Sequence, residues 1–197
     1  MVSLLTAMCV FSLTMSISPG PVNMTIVASS AAYGFRRTFP FVSGATIGFI
    51  LLLLSLGLGL MQIVTAYPAL LKFLSLAGAA FIIYIGYRIA SAAPDLTLDE
   101  TPCHGFRHGF LMQWLNPKAW LACIAGISMF AEANTYTPLV IFSALYFIIC
   151  YASLAVWAMM GAQLRTFLTT PSKVKIFNVI MGSILCACAA YLLLTSL

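Results

Sequence analysis

Two short motifs in this 197-residue chain combine proline with polar side chains: Ser18-Pro19-Gly20-Pro21-Val22-Asn23 and Asn116-Pro117-Lys118. Proline has no backbone N–H and costs a helix interior about 3 kcal/mol, so each motif is expected to break a helix. Ser, Gly or Asn just before a proline suits an N-cap, so each motif is also expected to start a new helix. The free N–H groups at a helix N-terminus attract an anion such as a carboxylate. Ser18, Pro19, Gly20, Pro21, Asn23, Asn116, Pro117 and Lys118 are therefore the candidate binding residues. The competing reading is that the prolines only kink long helices. Lys118 either supplies positive potential for a substrate carboxylate, or spends its long stem reaching an interface or the carbonyls freed at the opposite break.

Other reactive side chains point elsewhere. His104 and His108 are four residues apart beside Cys103 and have the spacing of a metal pair, but Gly105 and Gly109 argue against a rigid helix there. They read as interfacial residues at the edge of a loop. The six cysteines, at 9, 103, 123, 150, 186 and 188, include no Cys-x-x-Cys pair, so neither a disulfide framework nor a metal site is indicated, and no cofactor is expected. Cys186 and Cys188 cannot share one helix face and read as core or lipid-facing.

The elements that must carry these motifs are membrane helices. Hydrophobic residues make up 62% of the chain and charged residues 7%, with a mean hydropathy of +1.07, far from a soluble domain. A crossing needs about 20 apolar residues. The charge-free runs divide into six spans near 4–33, 41–65, 68–91, 108–131, 138–163 and 174–196. The runs are continuous rather than alternating, which excludes transmembrane β-strands. The first span has no basic residue before it and no small-residue cleavage site, so it is expected to stay in the mature protein.

Both breaks fall well inside the bilayer. From Pro21 to Arg36 is roughly 22 Å of helix and from Arg107 to Pro117 about 15 Å. Pro19 and Pro117 are 98 residues apart, as are Pro40 and Pro138, about half the chain. This points to an internal repeat. Arg36, Arg37, Arg88, Arg107, Arg165, Lys173 and Lys175 flank the first, third and fifth connections, against Lys72 alone on the other side. By the positive-inside rule both termini lie outside the cytoplasm. The net charge of +5 then reflects topology and lends no support to a nucleic-acid role. The expected fold is an all-α integral membrane protein: six transmembrane helices as two inverted three-helix repeats, 1–92 and 108–197, with helices 1 and 4 broken. Residues 93–107, with Pro94, Asp95, Asp99, Glu100 and Pro102, read as a cytoplasmic linker. Gly44 with Gly48, Gly57 with Gly59, Gly78 with Gly86, and Gly182 with Ser183 read as close-packing faces, within a subunit or across a homodimer.

Several of these residues, in this order, resemble the LysE/RhtB family of amino-acid exporters: Ser18 to Asn23, Gly34-Phe35-Arg36-Arg37, Gly44 to Phe49, Gly78 to Gly86, Gly109-Phe110-Leu111 and Leu115 to Ala119. The match covers about the first two thirds of the chain. The resemblance implies a transporter, not an enzyme, that moves amino acids or related metabolites out across the bacterial inner membrane on the proton gradient. It also implies a binding role for Pro19 to Asn23 and Asn116 to Lys118. No acid falls within a span, and a basic side chain in a low-dielectric cavity would need one, so a neutral amino acid is the expected substrate. The inverted repeats are expected to rock about a fixed midplane site, with the coupling proton on Lys118, the substrate amine or His108. Two other readings stand beside this one: export of a non-amino-acid metabolite, and a thiol–disulfide electron relay through Cys9 and Cys123.

Overall fold

The computed structural model describes residues 2–60, 62, 66, 68–92, 104–131 and 135–196. All four acidic residues (Asp95, Asp99, Glu100 and Glu132), Cys103, most of the expected linker and the end of the second span lie outside the described residues. The described chain forms eight α-helices: α1 (Val2–Ile17), α2 (Pro21–Tyr33), α3 (Phe35–Ser55), α4 (Pro68–Ala90), α5 (Phe106–Trp114), α6 (Pro117–Phe130), α7 (Thr137–Leu164) and α8 (Pro171–Ser196). A π-helical turn, Leu56–Leu60, extends α3, and a 3₁₀ turn, Arg165–Phe167, follows α7.

Among the described residues, three stretches are long and apolar enough to cross a membrane: Phe35–Gly59, Thr137–Phe167 and Pro171–Tyr191. A fourth is made by α1 and α2 together, bent by 57° at the Ser18–Gly20 break. Leu76–Ala90 and Pro117–Phe130 are shorter apolar helices. Gly34 joins α2 to α3 at φ +82°, a backbone region that suits glycine, and the turn brings Arg36 and Arg37 into the first turn of α3.

The two breaks form where the prolines predict, but their register differs from the 98-residue repeat. Pro21, not Pro19, takes the first position of α2, as Pro117 does in α6. The reason is local: Pro19 sits inside the break and Gly20 is the cap residue. Pro40 lies within α3, whereas Pro138 lies in the first turn of α7.

Packing is organised by close approaches of backbone at glycine. α3 crosses α5, where a Cβ on Gly44 would lie 2.0 Å from the Phe106 carbonyl oxygen and one on Gly109 2.2 Å from that of Phe41. α4 packs chiefly on α8, meeting it at Gly86 and Gly182. A Cβ on Gly78 would lie 1.6 Å from the Leu115 carbonyl oxygen, so α4 presses on the second break itself. These glycines are used between helices of one chain. α7 runs through the middle, against α1, α2 and α3, and carries buried Phe142, Tyr146, Cys150 and Leu154.

Candidate functional site

A helix that ends within a membrane leaves carbonyls that lipid cannot satisfy. At the first break every one of them has a partner. The Thr14 oxygen accepts from the Ser18 N–H at 3.2 Å, and the Met15 oxygen from the Ser18 hydroxyl at 3.1 Å. Asn23 Nδ2 donates to the Ser16 oxygen at 3.0 Å and the Ser18 oxygen at 3.1 Å. Trp157 Nε1, from α7, donates to the Ile17 oxygen at 3.2 Å. Lys118 Nζ, from the second break, donates to the Ser18 oxygen and hydroxyl, both at 2.8 Å, and to the Pro19 oxygen at 3.3 Å. The end of α1 is thus held by one residue of α2, one of α7 and the lysine that opens α6.

The beginnings of α2 and α6 differ. Asn116 caps α6 as its type predicts: Oδ1 accepts from the Lys118 N–H at 3.1 Å, and the Ala119 N–H bonds the Asn116 carbonyl at 2.9 Å. α2 begins at Gly20, which has no side chain to cap with. The two helix starts therefore differ, because the asparagine side chain satisfies an N–H of its own helix and the glycine cannot. Gly20 instead makes room for Lys118, whose Nζ lies 3.2 Å from where a Cβ on residue 20 would be. The ammonium sits over the first turn of α2, where the dipole of that helix is most positive.

A cavity of ≈ 40 Å³ opens between the two breaks. Gly20, Val22 and Asn23 of the α2 start and Asn116, Lys118 and Ala119 of the α6 start form part of its wall. Of the eight predicted residues, Gly20, Asn23, Asn116 and Lys118 face the cavity. Ser18 and Pro19 face Lys118 with their oxygens, and Pro21 and Pro117 open the two helices. An ordered water needs roughly 10–15 Å³, so the space suits a few waters rather than an amino acid.

Sequence reasoning missed the rest of the wall, whose polar and aromatic members are Ser16 of α1, Phe49 of α3, Gln113 of α5, and Tyr146 and Cys150 of α7. Gln113 is a buried polar residue three positions before the Asn-Pro pair, a signal that was available. Neither Cys9 nor Cys123 lines the cavity, and Cys123 is fully buried. A thiol relay needs accessible thiolates, so this placement counts against it. Cys188 of α8 approaches Lys118, whereas Cys186 packs by Gly86. Outside the apolar region, the His104 and His108 rings are 5.2 Å apart. Burial, with His108 and Arg88 nearby, pushes the His104 pKa down to about 4.

Two broken helices that meet at a polar cavity within an apolar helical bundle define a membrane-transporter class of architecture. The model of the LysE type translocator family matches residues 13–196, and the chain belongs to that family. A cysteine/O-acetylserine efflux protein of Salmonella typhi is 31% identical over 133 residues, 67% of this chain and 68% of the relative. One of Escherichia coli O6:K15:H31 is 30% identical over 134 residues, 68% of each chain. No solved structure matches the chain.

Proposed function

We propose that the chain exports small neutral amino acids from the cytoplasm across the bacterial inner membrane. The observation that carries this reading is the placement of Lys118 over the uncapped start of α2, inside a cavity between two broken helices. A substrate carboxylate there would meet an ammonium, the first-turn amides of Val22 and Asn23, and the positive ends of two helices. Ser18, Pro19, Gly20, Pro21, Asn23, Asn116, Pro117 and Lys118 make up the proposed site. No acidic residue faces the cavity among the described residues, so a basic side chain would have no counter-charge. The relatives named for cysteine and O-acetylserine efflux agree with a neutral, small substrate.

In this reading residues 1–92 and 108–197 are inverted three-span repeats joined by a linker at 93–107. Support comes from the order of the elements: a broken pair followed by long helices, α1/α2, α3, α4, and then α5/α6, α7, α8. Transport proceeds by alternating access. The cavity is too small for an amino acid in this arrangement, and Lys118 ties the two breaks together. A carboxylate that draws the ammonium toward itself weakens that tie and frees the halves to rock. Proton drive completes the proposal, and collapse of efflux by an uncoupler is its test.

The deciding experiment profiles amino acids released by dipeptide-fed cells expressing the chain, against an Asn116→Ala, Lys118→Ala variant at equal membrane abundance. Selective release of neutral amino acids, lost in the variant, is the expected result. An identical profile from the two strains would sink the reading.

A further inference from the structure

The cavity has a second polar wall, away from the helix starts, made by Ser16 of α1 with Tyr146 and Cys150 of α7. Ser16 is only 7% exposed, and its hydroxyl makes no hydrogen bond of ordinary geometry, with only the Tyr146 hydroxyl and the Cys150 thiol near enough to offer a looser one. Ser12, Ser43 and Ser128 turn back to the carbonyl four residues earlier, those of Met8, Phe39 and Ile124. Ser16 does not; nor do the buried Ser29, Ser30 and Ser143, but of these four Ser16 alone lines the cavity, together with Tyr146 and Cys150. An enclosed hydroxyl without a partner is rare in native proteins and calls for a specific explanation. Tyr146 is held in place: its ring stacks on Phe49 at 4.3 Å between centroids and meets the edge of Phe142 at 5.6 Å. The wall is therefore fixed, polar and neutral.

We infer that Ser16 and Tyr146, with Cys150 beside them, read the side chain of the transported amino acid, which rests on the export reading above. Lys118 and the α2 start hold the carboxylate, and the second wall meets what distinguishes one neutral amino acid from another. Hydroxyls both donate and accept, so the pair matches a side chain that does the same, a short alcohol or thiol. An aliphatic side chain of equal size leaves Ser16 and Tyr146 unpartnered in a buried place. Sites built to hydrogen-bond a substrate group reject analogues lacking it more strongly than apolar pockets reject an added group. Ser16 and Tyr146 are thus specificity determinants rather than part of the carboxylate site.

The test uses the purified full chain in liposomes loaded with equal concentrations of serine, threonine, cysteine, alanine and valine, with release of each followed by mass spectrometry. The parent is expected to release the hydroxyl and thiol amino acids faster than alanine and valine. In Ser16→Ala and in Tyr146→Phe the serine-to-alanine and threonine-to-valine release ratios should each fall about 3- to 10-fold, the worth of one neutral hydrogen bond. The ratio does not depend on how much protein is folded, and the two variants come from different helices. Ratios that stay constant in both, whatever the total rate, overturn the inference while leaving export intact. A parent that releases no amino acid at all defeats the export reading, and the side-chain assignment falls with it.

Discussion

Asn23 shows how a single side chain can make a broken helix tolerable in lipid. Its amide nitrogen serves two carbonyls at the end of α1 from a position in the first turn of α2. Asn23→Ala orphans the Ser16 carbonyl, since that of Ser18 keeps Lys118, and a loss of about 1–3 kcal/mol is expected. Thermal unfolding in detergent should show it, as a drop of roughly 2–4 °C for each kcal/mol in a chain this size. Gly20 offers a sharper probe of Lys118. A methyl group at residue 20 falls 3.2 Å from Nζ, a distance the flexible lysine end can concede, whereas a valine should push the ammonium off the α2 start. Gly20→Ala should keep most efflux and Gly20→Val should lose it, with both proteins present in the membrane. His104 gives the pH dependence. Its pKa, lowered by burial, His108 and Arg88 to about 4, lies below the ordinary value near 6.5. Between those values the unfolded chain binds a proton that the folded one refuses, so stability is full above pH 6.5 and falls as the pH drops toward 4. Melting temperature should therefore be lower at pH 5 than at pH 7.5, and His104→Gln should shrink the difference.

Helix positions were the most legible part of the sequence. Charged residues bound the apolar runs, so spans expected at 4–33, 68–91 and 138–163 correspond to elements at 2–33, 68–90 and 137–164. The breaks were legible because proline's missing N–H has one consequence in any helix. Which face of each helix turns inward was not. A helix that is apolar all round carries no amphipathic stripe, so nothing in the sequence of α7 marks Tyr146 and Cys150 as cavity residues rather than Phe147 or Ile148, which are exposed. Glycine spacing marked close packing but not partners. Gly44 and Gly78 oppose backbone carbonyls, which cannot move aside as a side chain can. Gly44→Ala and Gly78→Ala should each cost about 1–3 kcal/mol or more through overpacking. Gly105→Ala is the control, since a Cβ there meets nothing within 4 Å, and it should stay within about 0.5 kcal/mol of the parent.

The membrane orientation belongs to the whole molecule. Arg165 lies beside Gly34, 3.7 Å from where a Cβ would be, so the α2–α3 and α7–α8 connections sit together. That agrees with the grouping of basic residues from which the cytoplasmic side was drawn. Alkaline phosphatase fused after Leu197 should be active, because it folds only outside the cytoplasm, and the same enzyme inserted after Gly105 should be inactive. The reverse pattern would turn the molecule over and put the basic connections outside the cytoplasm.

The pairing of α4 with α8 also has a consequence for how the chain is made. Synthesis runs at about 5–20 residues per second, so α4 waits roughly 5–20 seconds for the neighbour whose Gly182 it meets at Gly86. During that time the ribosome delivers about half of the protein, and Gly86 and its surroundings face lipid or a membrane chaperone. A nascent chain arrested before Pro171 would keep that face bare, an unpaired surface that membrane quality control can recognise.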